Sequence, residues 1–383
     1  MKPGRRQEYI RISNMKSVLR AIRGGGKTFA ELENIMGLSN AAIFKIVSAM
    51  TESGLVLRNR LPSSTAGRKA EIITPNPAFG YFAVILAHSD VMTVTVNDFV
   101  GNVVYKKEYQ TGYVVKREIL DAAVEDMKKV ALRPKHTVFV FAGKYDCKTD
   151  RFVFAGKFAE FYGENFSETL SGKIGSPVIM KNDMFTAVQA ATCDASSPDS
   201  FLYLYIDEGV GGGIVCEKHI FAGEHGMAGE FGLFGMNPMT ATDFFPNDRS
   251  EIFSTLLSVK SVADRYRRCA GKPEVRYEEA KEDFIAACGR KDETALSCLD
   301  EAVGVLGRFL WSVTELLDIS HILFTGEFVR LEPFVAGKLN RLFSHSPTCS
   351  KIEVSFLRKR DEVYNGAVSV GLSAFEEILN KKQ

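Results

Sequence analysis

Residues 28–73 constrain the fold more than any other stretch, because two short apolar-faced helices joined at one glycine give way to strand-like sequence. Thr28 with Glu31 three residues on has the signature of a capping box at a helix start. Leu32, Ile35 and Met36 then line one face, and Gly37 permits the sharp turn that ends the helix. Ser39 can cap a second helix whose Ile43, Ile46, Val47 and Met50 recur at helical spacing and face inward. Asn40, Ala41, Phe44, Lys45 and Ser48 are left on the outer face, although Phe44 turns into the core if the helix phase shifts by one residue. LVLRN and AEII follow as a two-stranded ribbon around the loop Arg60 to Lys69, and Met15, Val18, Leu19 and Ile22 form a bracing helix before. The order predicts a winged helix-turn-helix over residues 1–78, its second helix shaped for the DNA major groove.

Charge follows the same division. Residues 1–78 hold 13 Lys and Arg against 5 acidic residues, whereas the remainder holds 35 against 42, so the overall +1 hides a basic module on an acidic body. Such a module attracts phosphates in a salt-dependent way. The bland alternative is a small helical domain that happens to be basic.

A chain of 383 residues suits two or three domains, and 45% hydrophobic with 25% charged residues is a globular composition. No apolar run approaches a membrane span, the basic N-terminus is no secretory signal, and the seven scattered cysteines lack metal-ligand spacing. They read as free thiols in a reducing compartment, so the expectation is a cytoplasmic protein without membrane contact. Beyond Pro75 and Pro77, taken as a linker, strands alternate with helices. YFAVILA, VMTVTVND and NVVYKKEY open one set, FLYLYID and GGGIVCEK a second. Helices are expected near 115–131, 158–172, 184–193, 252–270, 278–289, 293–317, 328–343 and 366–380. This is an α/β plan with a duplicated unit. The expected division is 1–78, then a first α/β lobe over 79–197 completed by a C-terminal helix at 366–383, and a second lobe over 198–365.

GLSNAAIFKIVSAMTESGLV with GRKAEIITPNP, then SPVIMKND, IDEGVGGGIV and FAGEHGMAGEFG, occur in the order and spacing of one known family. The chain resembles a ROK-family transcriptional regulator, one of the sugar-responsive repressors related to bacterial sugar kinases. That resemblance implies a winged helix-turn-helix followed by an actin-like (ribonuclease H-like), two-lobed sugar-kinase body. Where kinase members wrap phosphate with a D-x-G-G-T turn, this chain has Leu86, Ala87, His88, Ser89 and Asp90; a lone His there is more often structural. The second phosphate loop keeps glycines at Gly209 and at Gly211 to Gly213, expected to serve tight turn packing, but Glu208 replaces a small neutral residue. A carboxylate about 4 Å from a phosphate costs on the order of kcal/mol. A kinase needs both loops, so no enzymatic activity and no cofactor are expected.

For the sugar the resemblance implies Asn182, Asp183, Glu230, Glu251 and Gly143 as ligand-binding residues, carboxylates and an amide being suited to hydroxyls. Asn182 and Asp183 could equally cap the helix that follows. The family's zinc motif is missing: its His position is Leu233, and residues 234–251 contain neither Cys nor His, so no metal site is expected. Phe234, Met236, Phe244 and Phe245 are placed to substitute apolar packing for the metal. Ser39, Asn40, Ala41, Phe44 and Lys45, with Arg58, Arg60, Arg68 and Lys69 of the wing, are the expected DNA-binding residues. Arg5 and Arg6 form a terminal basic pair that is either an arm or solvated. The implied partners are double-stranded operator DNA, a sugar or sugar-derivative effector and a second copy of the chain, giving a dimeric repressor of carbohydrate-metabolism genes. The alternatives are a ROK-type sugar kinase with an added DNA-binding domain, and a regulator controlled by a protein partner without a sugar ligand.

Overall fold

The structure, a computed structural model, describes residues 3–60, 71–130, 132–153, 156–235, 252–344, 352–358 and 361–381, the side chains of 3–8 and 378–381 aside. Arg68, Lys69, Glu251, Met236, Phe244 and Phe245, and the side chains of Arg5 and Arg6, lie outside the described residues. The chain opens with α1 (Pro3–Arg23), β1 (Lys27–Thr28), α2 (Phe29–Met36), α3 (Asn40–Glu52), β2 (Val56–Arg60) and β3 (Glu71–Pro75). The capping box forms in both directions. Thr28 Oγ1 accepts from the Glu31 N–H at 3.3 Å, and Glu31 Oε2 accepts from the Thr28 N–H at 2.7 Å. Gly37 ends α2 in the left-handed region at φ 62°, a conformation that costs other residues a Cβ clash. Ser39 Oγ then caps α3 by accepting from Ala42 N–H.

Met15, Val18, Leu19 and Ile22 of α1 bury with Leu32, Ile43, Ile46, Val47 and Met50, joined by Leu55, Val56 and Ile73. Ile35 departs from the expected inner face and is 56% exposed. The eight residues of α2 make barely two turns, and Leu32 alone fills the room that α1 and α3 leave. Lys27 and Thr28 pair with Ile73 and Ile72, a third strand too short to leave a sequence pattern, in the order β1-β3-β2. Pro75 is not linker; it closes β3 opposite Val56, and a short helical turn, Pro77–Phe79, runs straight into the next strand.

Next come β4 (Tyr81–Ala87), β5 (Val91–Asp98), β6 (Val103–Gln110), α4 (Arg117–Lys129), β7 (Pro134–Phe141), the short β8 (Tyr145–Asp146) and β9 (Arg151–Phe152), α5 (Phe166–Ile174), β10 (Val178–Asn182) and α6 (Asp183–Cys193). The plan then restarts with β11 (Phe201–Ile206), β12 (Val210–Cys216), β13 (His219–Ile220), α7 (Phe253–Leu257), α8 (Val259–Cys269), α9 (Tyr277–Gly289), α10 (Glu293–Leu317), β14 (His321–Thr325), α11 (Glu332–Phe343), β15 (Glu353–Phe356) and α12 (Glu362–Lys381). The two five-stranded sheets run β10-β7-β4-β5-β6 and β13-β12-β11-β14-β15. In each, the first strand pairs antiparallel with the second and parallel with the fourth, so the two are copies of one plan. Three expected helices divide differently, among them 328–343, which is a 3₁₀ segment, Glu327–Leu331, and then α11. The stretch 158–172 is a 3₁₀ segment, Gly156–Phe161, and then α5, while 252–270 breaks at Ser258, whose hydroxyl caps α8. The last helix begins at Glu362, four residues before expectation.

The chain gathers into two compact units, residues 1–143, 150–181 and 367–383 in the first and 144–149 and 182–366 in the second. Within the first, α12 anchors α1. Glu376, 3% exposed, accepts from Arg20 Nη2 at 2.7 Å and from Arg23 Nη1 at 2.9 Å, and Arg23 Nη2 also reaches the Leu372 carbonyl at 3.0 Å. A buried carboxylate is tolerated when cations and hydrogen bonds surround it in this way.

Candidate functional site

The chain returns to the second unit at the junction of β10 and α6, where the end of a strand becomes the start of a helix. Asn182 caps that helix, its Oδ1 accepting from the Met184 N–H at 2.8 Å. The capping reading is therefore realised, but it consumes the amide oxygen, and the Asp183 carboxyl accepts from the same Met184 N–H at 2.8 Å and from its own backbone N–H. Part of the Asp183 residue reaches solvent while its carboxyl group lies deep among protein atoms. Burial, then the like charge of Glu230, pushes Asp183 up to about 7, the Met184 N–H opposing. Glu230 precedes a short 3₁₀ turn, Phe231–Leu233. Burial raises it too, and Lys144 pulls it back, although much of the residue is open to water.

Two carboxylates in electrical contact, one half-protonated near neutrality, can accept from hydroxyls and can also donate to them. Asn182, Asp183 and Glu230 thus belong together in the second unit. Gly143 is the last residue of a first-unit segment, at φ 131°, and Leu233, the residue at the family's His position, is exposed. Sequence reasoning missed Lys144, whose only signal was its place beside Gly143.

The turn from β11 to β12 is held by its own chain. Asp207 accepts from the hydroxyls of Tyr205, at 2.8 Å, and of Tyr277, while Lys260 pairs with Glu208 at 2.8 Å. Burial, followed by the Asp207 carboxylate, drives both tyrosine hydroxyls well above their ordinary range. Gly211, Gly212 and Gly213 were expected in a tight turn; they lie within β12 instead. A Cβ on Gly212 would strike the Tyr203 carbonyl and the Phe231 ring, and one on Gly213 would stand 2.7 Å from Val188 of α6. These glycines let the helix and the neighbouring strand close on β12. In the corresponding turn of the first sheet, Ser89 Oγ donates to the Val91 carbonyl, and the Asp90 carbonyl accepts from Thr111 and Gly112 N–H. Burial, then Lys157, lowers the pKa of His88. Among the described residues no group of three His, Cys, Asp or Glu side chains gathers as a metal set, and Phe234 packs edge-on against Phe309 at 5.4 Å.

On α3, Ser39, Asn40, Ala41, Phe44 and Lys45 are all exposed. Asn40 Nδ2 donates to Glu33 Oε2 at 3.3 Å. Phe44, 49% exposed, faces outward, so the alternative helix phase does not hold; it stacks on Phe29 with ring centres 5.8 Å apart. The Arg58 guanidinium lies over both rings, 5.3 and 5.1 Å from their centres, and donates to Glu71 across the ribbon. Arg60 is exposed at the end of β2, opposite Glu71. Neither Phe29 nor Glu71 was singled out from sequence, since their meeting depends on the β2–β3 register.

A model of the ROK family matches residues 88–359. The xylose repressor of Bacillus subtilis (strain 168) is 20% identical over 236 residues, 59% of this chain and 61% of the repressor. The β-glucoside kinase of Listeria monocytogenes serovar 1/2a is 27% identical over 197 residues, 51% of this chain and 65% of the kinase. The matched stretch thus spans less than two thirds of either relative. A solved ROK family transcriptional regulator, a homologue of the E. coli MLC protein, superposes with a TM-score of 0.75 over 97% of this chain and 98% of its own, at 18% identity. That likeness shows a shared fold along nearly the whole chain, with a sugar-kinase-like α/β body. As the family model spans most of its length, this chain belongs to the ROK family.

Proposed function

We propose that the protein is a DNA-binding transcriptional repressor whose sugar-kinase-like body senses a sugar and catalyses nothing. The observation that carries this reading is the N-terminal module: two short helices joined at Gly37 with an intact capping box, an exposed outer face on α3, and the antiparallel pair β2–β3, an arrangement that suits a winged helix-turn-helix. In this reading Asn40, Ala41 and Lys45 reach base edges and phosphates. Phe44 and Arg58, stacked on Phe29 and tied to Glu71, brace the second helix against the ribbon, with Arg60, Arg68 and Lys69 carrying wing contacts to the backbone. Basic charge confined to residues 1–78 supports it.

The self-held turn supports the non-enzymatic half. A nucleotide at the β11–β12 turn would have to displace Tyr277 and Lys260 and then face Asp207 and Glu208. Asn182, Asp183 and Glu230, with Glu251 and Gly143 as further members, form the effector site, and sugar binding shifts operator affinity in a homodimer bound to two half-sites. The two α/β lobes divide near residue 197, with the C-terminal helix completing the first. The chain works in the cytoplasm; among its described residues no helix is long and apolar enough to cross a membrane.

The test is selection of the full-length protein on random-sequence duplexes, followed by binding titrations between about 50 and about 200 mM salt. The expected result is an enriched, two-fold symmetric sequence whose affinity falls steeply with salt and is lost in Lys45→Glu. Recovery of no preferred sequence would sink the repressor reading. Sugar-dependent ADP release from ATP, abolished by Asp183→Asn, would favour the kinase alternative that the β-glucoside kinase relative keeps in view.

A further inference from the structure

The effector site contains a cation that recognition of a neutral sugar does not use. Lys144 immediately precedes β8 and is half-buried. Several other lysines of the second unit are paired, Lys148 with Glu224, Lys260 with Glu208, Lys272 with Asp283 and Lys281 with Glu278. Among the described residues no carboxylate lies within ion-pair distance of the Lys144 ammonium, which acts on Glu230 from farther off.

The proximity of Lys144 and Glu230 is fixed by structure on both sides. The segment 144–149 is pinned to the loop that leads into Glu230: Cys147 N–H donates to the His225 carbonyl at 3.4 Å, His225 Nδ1 lies 3.2 Å from Asp146 Oδ1, and Lys148 pairs with Glu224. At the far end of that loop Gly229, at φ 93°, presses its backbone against Gly212 of β12, leaving no room for a side chain. The ammonium is therefore carried by a fastened strand start, and Glu230 by a fastened turn.

We propose that the ligand of this pocket is an acidic monosaccharide, bearing a carboxylate or a phosphate, with Lys144 receiving the anionic group while Asn182, Asp183 and Glu230 receive hydroxyls. This rests on the reading of the pocket as a sugar site. A half-buried ammonium with no carboxylate within ion-pair distance among the described residues gains a charge-assisted hydrogen bond from an anion and less from a hydroxyl. The carboxylates do not cancel the attraction. Burial holds the Asp183 proton up to about pH 7, so this acid carries less than a full charge at neutrality, and Glu230 is the described carboxylate on which Lys144 acts.

The experiment is a melting-temperature and calorimetry panel on the full-length protein with matched pairs: glucose with glucuronate and glucose 6-phosphate, galactose with galacturonate, and xylose with xylonate. Inorganic phosphate and acetate serve as anion controls. The expected result is one acidic sugar bound about tenfold or more tightly than its neutral parent, the carboxylate and phosphate arms identifying which anion is used. That preference should vanish in Lys144→Met and survive in Lys144→Arg, which keeps the charge if Lys144→Met fails to fold. Neutral sugars that bind as tightly as acidic ones, a preference unchanged in Lys144→Met, or equal shifts with phosphate alone would each overturn the inference while leaving the pocket as a sugar site. Silence of every sugar, with Asp183→Ala behaving as the parent protein, would remove the pocket reading and the inference together.

Discussion

Glu376 and Asp183 are both carboxylates held away from water, and the protein treats them in opposite ways. Glu376, in the first unit, sits between Arg20 and Arg23 and locks the last helix to the first. Asp183, in the second, has backbone N–H donors but no cation, and another acid, Glu230, as the charge that acts on it. The first arrangement compensates a buried charge; the second leaves it uncompensated and raises its pKa. A fold keeps an uncompensated acid only where something other than stability requires it. The contrast thus sets a structural clamp apart from the acid proposed above to bind a ligand, without reference to any relative.

The largest expected effect tests the clamp. Glu376→Gln leaves Arg23 partly buried without its anion and should cost about 3 kcal/mol, at the low end for a broken buried pair because Arg20 can return to solvent. Denaturant unfolding of the full chain measures it, and a loss well under about 1 kcal/mol would break the comparison from this side.

Asp183→Asn should act with the opposite sign. The folded protein holds this proton up to about pH 7, whereas an unfolded Asp releases it near 4, so folded molecules bind more protons and stability falls as pH rises through that window. The amide abolishes that cost and keeps an acceptor for the Met184 N–H. The expected gain is on the order of 2 kcal/mol above about pH 7, shrinking to nothing near pH 4. Destabilisation by Asp183→Asn at about pH 8 would show that Asp183 is structural after all.

Asn182→Ala sharpens the comparison at the neighbouring position. Loss of the cap should cost about 1 kcal/mol at every pH, because no titration is involved. A cost confined to high pH would instead tie Asn182 to the ionised state of Asp183. The smallest effect belongs to Glu377→Gln, which breaks the Lys16 pair beside the clamp. Glu377 is largely exposed, so the change should stay within about 0.5 kcal/mol and fade with salt.

Parts of this molecule that obey local rules were legible in the sequence. The capping box at Thr28 and Glu31, the left-handed Gly37 and the Ser39 cap depend on residues within four positions of one another, and each forms as the pattern requires. Ile35 shows where the same rules mislead. Its spacing marks an inner face, but whether an inner face is filled depends on the neighbours that arrive, and Leu32 had already filled it. Gly211 to Gly213 mislead in another way. A run of glycines signals close approach, expected here within a tight turn, and the sequence could not say that it would occur along a strand, against the α6 helix and a β11 carbonyl.

By itself, then, the sequence determined the two short helices that meet at Gly37, the alternation of strands and helices, the repeated sheet plan and the pairing of Asn182 with Asp183, since periodicity, caps and turn residues act over a few positions. Only the tertiary structure decided that Arg58 stands over Phe29 and Phe44, that Glu376 is clamped, that Tyr277 occupies Asp207, and that Lys144 lies beside Glu230 without an ion pair. Each of those meetings joins residues 13 or more positions apart, and most join residues more than 60 apart. Solvation and charge are set by whatever the fold brings near, and that distance along the chain carries no local signal.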